Sequence, residues 1–266
     1  APFLPALFVV LLCIICSALF GAAWAIIPGY LQAKRGSHIV ITTIMFNFLA
    51  SSLMVWLLSG ILMEKGQQSP QSNLLPESIR LPKVQDAFEF LGVNISSSPM
   101  NLSFVVALIA LLLFWILIWK TRLGYEIRAV GKNQDAANYA GINVPMIIII
   151  TMTISGAFAG LLAVNEVMGV QNRVILNYTA GYGFTGIAVA LMGRNHPIGI
   201  FFASLLFGVL FQGGTELDFE FQSITRDMVL LIQGLIILFS GALAYMYNPT
   251  VSKIFSKIEK RSKKNG

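Results

Sequence analysis

The sequence predicts an all-α fold, a polytopic bundle of transmembrane helices, on three observations. Of the 266 residues, 56% are hydrophobic. Only 11% are charged, against about 25% in a typical soluble domain. The apolar residues also occur in runs of about 20, the length of helix that crosses a bilayer. A soluble globule would lack the polar surface to face water. The composition therefore excludes a soluble enzyme, a disordered protein and a nucleic-acid-binding domain.

About seven apolar segments are long enough to be spans in a transmembrane domain over residues 1–250. The fifth and sixth have only about 14 residues each, so we expect them to be tilted, broken or re-entrant. The predicted spans are residues 4–25 (continuing through 28 to 31), 38–63, 102–119, 145–164, 179–192, 198–211 and 228–247.

The basic residues predict an orientation, because Lys and Arg accumulate on the cytoplasmic side of membranes. With Lys34 and Arg35 inside, 13 of the 18 basic residues fall inside. Residues 64–101 then form an outer loop and residues 120–144 an inner loop. The basic tail over residues 251–266 is predicted to be cytoplasmic and to contact anionic lipid.

Catalytic and metal-binding signals are nearly absent. His38 and His196 are far apart, whereas a zinc site needs three or four neighbouring ligands. Cys13 and Cys16 lie inside an apolar run, where they are expected to act as small hydrophobic residues rather than a redox pair. We therefore predict no catalytic residue, no metal and no cofactor on this chain.

The inner loop contains the most informative soluble segment. It predicts a short helix over residues 133–140, with Asn133 as N-cap and Gly141 as its C-terminal stop. Ala136, Ala137 and Ala140 would give this helix a face of small residues. Such a helix could dock into a groove of a partner or simply be a solvated connector, and the small-residue face favours docking.

At this loop the sequence resembles a known family. Residues 128–142 read RAVGKNQDAANYAGI, and they look like the coupling segment of ABC importer permeases of the branched-chain amino acid, ribose and nucleoside class. Residues 21–34, 41–47 and 183–199 are also similar to that family, and most similar to its simple-sugar and nucleoside branch. One departure is Thr185, which is often Asp in that branch.

The resemblance implies a permease subunit of an ATP-driven importer for nucleosides or simple sugars, in a bacterial-type plasma (inner) membrane. The alternatives are a permease for branched-chain amino acids and an ion-coupled secondary transporter. ATP and magnesium would bind to cytoplasmic ATPase subunits, so this chain would not be an enzyme. A second permease, identical or paralogous, and an extracytoplasmic substrate-binding protein would complete the complex, and the branch has further spans before the point where this chain begins. The ATPase contact would involve Arg128, Gly131, Asn133, Ala136, Ala137 and Gly141.

Polar side chains within or beside the spans are candidates for a substrate pathway, because in hydrocarbon they are costly unless they face protein or water. Amides, hydroxyls and aromatic rings suit a neutral polar ligand such as a nucleoside or sugar. No predicted span contains an acidic residue in its middle, which argues against ion coupling. The pathway candidates are Asn47, Thr43, Tyr182, Thr185, Asn165, Glu166 and Gln233.

Overall fold

In a computed structural model of the chain, the described residues are 3–63, 66, 69–85, 100–179, 181–220, 228, 231–232, 234–236 and 238–239. The described part of the chain is helical, and its extended contacts are isolated antiparallel bridges rather than a β-sheet. The chain divides into two compact units, residues 1–180 and residues 181–266.

The described part of the first unit contains six α-helices, and the long ones match the predicted spans. Its first helix has 33 residues and is therefore about 50 Å long, which exceeds the hydrocarbon thickness of a bilayer. That helix ends at Gly36, whose φ of +67° favours glycine. The helices are α1 (Phe3–Arg35), α2 (Ile39–Gly60), α3 (Ser103–Lys120), α4 (Arg122–Lys132), α5 (Gln134–Tyr139) and α6 (Val144–Gly160).

The fourth predicted span is longer than the sequence suggested. After α6 the chain continues into a π-helical segment, Val164–Val170, and the combined span covers Val144–Val170. This span includes Glu166 near one end. Glu166 does not lie in the middle of the span, so it does not contradict the prediction that no span has an acidic residue in its middle.

Helices α1 and α6 pack with direct backbone contact. Methyl groups added at Gly156 and Gly160 of α6 would overlap the carbonyl oxygens of Gly21 and Ser17 on α1, respectively. A methyl group at Gly29 would likewise meet the side chain of Met152. Small residues at four-residue spacing allow helices in a membrane to approach this closely. The Gly156–Gly160 pair is thus the packing surface of α6 against α1.

Residues 69–85 of the predicted outer loop form a strap that packs against the π-helical segment within the first unit. Leu81 packs against Val164 and Met168 of the π-helical segment, and all three side chains are buried. The backbone N–H of Leu81 donates to the Met168 carbonyl at 3.0 Å, and that of Ser72 donates to Val174 at 2.9 Å. The strap therefore shields one end of the helices.

The second unit contains α7 (Tyr182–Met192) and α8 (Pro197–Glu220). Helix α7 has 11 residues, so the fifth predicted segment is a short apolar helix, as expected. The prediction of a short sixth span is wrong, because α8 has 24 residues. Its polar C-terminal part stays helical and includes a hydrogen bond of 3.0 Å from Gln212 to Glu216, four residues apart. The seventh predicted span is described only at scattered residues, and the tail 251–266 lies outside the described residues.

Candidate functional site

The short helix predicted over residues 133–140, which we call the docking helix after its predicted role, is present as α5 and follows α4 after a break at Asn133. Thr121 caps α4, because its hydroxyl oxygen accepts the Gly124 N–H at 3.1 Å. Asn133 then caps α5 by accepting the Ala136 N–H through Oδ1 at 3.0 Å. The segment ends at Gly141, whose φ is +82°. Cap and stop are those that the sequence predicted, whereas α4 itself was not predicted.

Helix α5 is held to the body of the unit by one alanine. Ala137 is 3% exposed and lies in a cluster with Val130 of α4 and Ile147 of α6. A helix of six residues is too short to be stable alone, so this contact fixes its position. Ala137 therefore supports the docking helix from behind and does not belong to its exposed face.

The exposed side of α5 presents small and polar groups. Ala136 and Ala140 are exposed, and Tyr139 is 97% exposed. Of the other predicted coupling residues, Gly131, Asn133 and Gly141 are also exposed. This arrangement leaves a short, projecting surface that a groove on another protein could receive.

Arg128 is half-buried and directed back to the end of α3. Its guanidinium carbon lies 4.8 Å from the centre of the Trp119 ring, and its Nε donates to the Gly124 carbonyl at 3.3 Å. Lys120 makes a similar cation–π contact with Trp115 at 5.4 Å. Arg128 thus joins α4 to the aromatic end of a membrane helix, where indole rings favour the interface.

A buried polar cluster, composed of Asn101, Ser103, Asn165 and Glu166, joins the π-helical segment to the start of α3. Asn165 Oδ1 accepts the Ser103 hydroxyl at 2.5 Å and Asn101 Nδ2 at 3.4 Å. Asn165 Nδ2 donates to Glu166 Oε1 at 3.0 Å. Asn101 and Glu166 are only 5% and 6% exposed. Both predicted pathway residues in this cluster, Asn165 and Glu166, are therefore hydrogen-bonded to other groups of the protein.

Sequence reasoning missed Asn101 and Ser103. Asn101 Oδ1 accepts the Ser103 N–H at 3.0 Å, so the asparagine also orders the first turn of α3. A methyl group at Gly169 would overlap the Asn101 amide, which explains the glycine in the facing π-helical segment. An Asn-x-Ser sequence directly before an apolar run is an N-terminal helix signal that could have identified this pair.

Tyr178 lies in the segment that follows the π-helical segment. Burial raises the pKa of Tyr178 above its ordinary value, and the nearby charge of Glu166 raises it further. Both effects disfavour the phenolate, since burial removes solvation and a like charge repels it. Tyr178 is therefore held in its neutral, hydrogen-bonding form beside the polar cluster.

The remaining pathway candidates fall into pairs on separate helices. Thr43 and Asn47 are four residues apart on α2, so they share a face, and the Thr43 hydroxyl donates to the Ile39 carbonyl at 2.9 Å. Tyr182 and Thr185 are three residues apart on α7 in the second unit. Gln233 lies outside the described residues.

Metal binding finds no support in the described residues, which contain no group of three or more potential ligands.

The family model for "Branched-chain amino acid transport system / permease component" matches residues 2–241. A nucleoside ABC transporter permease of Lactococcus lactis is 36% identical over 90% of this chain and 65% of its own length. A guanosine ABC transporter permease of Bacillus subtilis is 35% identical over 86% of this chain and 63% of its own length. A glucose ABC transporter permease of Haloferax volcanii is 34% identical over 89% of this chain and 62% of its own length. The chain thus spans less than two thirds of these relatives, and no solved structure is significantly similar to it.

Proposed function

This chain belongs to the branched-chain amino acid transport system permease component family, and on that premise we propose that it is the membrane-spanning subunit of an ATP-driven importer. The observation that carries the proposal is the docking helix. Residues Gln134–Tyr139 are capped at the start, stopped at the end and fixed from behind by Ala137, while their other side is exposed. We propose that a cytoplasmic ATPase subunit binds this exposed side and moves the helices when it binds and hydrolyses ATP.

The substrate that we propose is a nucleoside or a simple sugar. The relatives at 34–36% identity carry the names of nucleoside, guanosine and glucose permeases. Amide and hydroxyl groups, as on Asn47 and Thr43, match the neutral hydroxylated groups that these solutes share. A branched-chain amino acid would instead require groups for its ammonium and carboxylate. The charged residues of the described candidate spans lie near the span ends rather than in the middle; they are Lys34, Arg35, Lys120, Glu166 and Glu216.

The complex that we propose contains a second permease, identical or paralogous, two ATPase subunits and an extracytoplasmic binding protein. Orientation follows the basic residues, with α4 and α5 and the C-terminus in the cytoplasm. The strap would then face the binding protein. In this topology the polar cluster lies at the outer end of the span Val144–Val170, and the docking helix lies beside the inner end of the same span.

The coupling proposal is tested by Ala136→Glu, because Ala136 is exposed and its replacement leaves the Ala137 contact unchanged. In reconstituted vesicles we expect ATP hydrolysis to lose its stimulation by the loaded binding protein, with expression unchanged. His38→Glu is the matched control, since it adds the same charge at an exposed position between α1 and α2, outside both the docking helix and the strap. Normal stimulation in Ala136→Glu would contradict the assignment of the docking helix.

The substrate is tested on the purified complex. Stimulated ATP hydrolysis is measured with the binding protein loaded with a nucleoside, a sugar or a branched-chain amino acid. We expect stimulation with the first or the second, and stimulation by the amino acid alone would reject the substrate assignment while leaving the importer class intact.

A further inference from the structure

A cavity of about 410 Å³ lies between α4 and the beginning of α6, beside the docking helix. Its wall combines polar and apolar side chains. We call Arg122 and Glu126 of α4 and Asn143, the N-cap of α6, its polar end, and Met146 and Ile150, in the first and second turns of α6, its apolar end. Because α6 continues into a candidate span, the apolar side chains follow the polar cap in the direction of the membrane.

The polar end lies at the membrane boundary. Arg122 follows directly after the end of α3 at Lys120, and both flanking long helices are candidate spans. The Arg122 side chain is 92% exposed, and Glu126 Oε1 lies 3.0 Å from its Nε. An exposed ion pair of this kind is weak, so the guanidinium can bind another anion at little cost. Its fork-shaped donors suit phosphate oxygens in particular.

The apolar end extends along a membrane helix. Met146 and Ile150 are four residues apart on α6, so Ile150 lies about 6 Å deeper in the span. Met146 is exposed, and Tyr125 of α4 adds an exposed aromatic ring to the cavity wall. An aromatic ring at a membrane boundary favours the headgroup level, with hydrocarbon beside it.

We propose that this cavity is a binding site for an anionic phospholipid. The phosphate binds to Arg122, and an acyl chain lies along Met146 and Ile150. Charge favours this occupant, because Arg122 of the cavity wall belongs to a segment, residues 120–132, that carries four basic residues and one acidic residue. The order of polar and apolar side chains along the cavity favours a lipid as well. A lipid places its charged headgroup at the membrane boundary and its hydrocarbon chain beside the membrane-spanning part of α6.

An ATPase subunit is a less suitable occupant. A soluble partner reaches the docking helix from the aqueous side, so it would leave the apolar end at Ile150 unfilled. Free phosphate would use Arg122 alone and leave both Met146 and Ile150 exposed. The lipid proposal does not depend on the transport function, and requires only that α3 and α6 span a bilayer.

The test counts lipids bound to the full chain, purified in its complex, by native mass spectrometry during titration with phosphatidylglycerol or phosphatidylcholine. We expect preferential retention of phosphatidylglycerol. Arg122→Gln should weaken that binding about fivefold, the factor that one basic residue is worth at an anionic membrane surface. Lys132→Gln is the matched control, because it removes the same charge from an exposed position of α4 outside the cavity wall.

Glu126→Gln provides a gain-of-binding variant that misfolding cannot imitate. It removes the competing carboxylate from Arg122, so phosphatidylglycerol should bind more tightly. Equal losses in Arg122→Gln and Lys132→Gln would overturn the proposal, because they would indicate nonspecific attraction. Displacement of the lipid by inorganic phosphate would also overturn it, as would loss of ATPase assembly in Arg122→Gln complexes held in phosphatidylcholine nanodiscs.

Discussion

The contact between α1 and α6 gives the sharpest prediction of stability. Gly156→Ala adds a single methyl group to α6 without adding charge or polarity. That methyl would overlap the carbonyl oxygen of Gly21 and the Cβ of Ala25. Because one of these neighbours is backbone, no side-chain rotation relieves the overlap, and the two helices must separate.

The cost follows from how much of the interface separates. Overpacking a well-packed site by one or more methylene groups costs about 1–3 kcal/mol. Alanine is favoured over glycine inside a helix by about 1 kcal/mol, which offsets part of that cost. At Gly156 we expect an overpacking cost at the upper end of that range, because separation of the helices also weakens the Ser17–Gly160 and Gly29–Met152 contacts. The expected net destabilisation is therefore about 1–2 kcal/mol.

Gly131→Ala is the matched control, because an added Cβ at Gly131 of α4 has no atom within 4 Å. The same mutation should there be neutral or stabilising, since only helix propensity changes. Thermal unfolding of the purified chain measures both. We expect the melting temperature of Gly156→Ala to fall by about 2–8 °C. A melting temperature for Gly156→Ala equal to or above that of Gly131→Ala would refute the close backbone contact.

Three further outcomes follow from hydrogen bonds and charge. Asn133→Ala removes the cap of α5, and hydrogen exchange should show the helix opening more readily, by about 1 kcal/mol. Asn101→Ala removes the amide from the polar cluster, and thermal unfolding should show that the chain loses about 1–3 kcal/mol of stability. Asn101→Asp should recover only part of that stability, because a carboxylate cannot donate a hydrogen bond to Asn165. Tyr178 has a raised folded-state pKa, so its contribution to stability is present below the unfolded-state pKa and is lost as pH rises through the folded value. Tyr178→Phe should remove that alkaline decline, and Glu166→Gln should reduce it; an unchanged profile in Tyr178→Phe would contradict the assignment.

Apart from α4, the α-helices described in the first unit could be predicted because their signals are local. Runs of apolar residues define α1, α2 and α3, and Asn133 and Gly141 mark the ends of α5 through rules that act within a few residues. The packing of Gly156 was also predictable, since its four-residue spacing to Gly160 is a property of sequence alone.

The polar cluster could not be predicted in the same way, because its hydrogen bonds join residues more than 60 positions apart. Asn101 and Asn165 differ by 64 positions, and Ser103 and Asn165 by 62. The sequence presented Asn165 and Glu166 as free polar groups beside a pathway. In the structure, Asn101 and Ser103 at the start of α3 bond to Asn165, and Asn165 bonds to Glu166. Only the tertiary structure reveals the first two of these contacts.

The span from Val144 to Val170 connects these features physically. Its first turns hold Ala137 of the docking helix through Ile147, its middle contacts α1 through Gly156, and its far end carries Glu166 in the polar cluster. With 27 residues it is about 40 Å long, and close-packed contacts such as that of Gly156 with α1 transmit strain rather than absorb it. Under the proposed function, motion of the docking helix would therefore reach the polar cluster through this one span. Gly156→Ala should then reduce the coupling of ATP hydrolysis to transport even at temperatures where the chain remains folded.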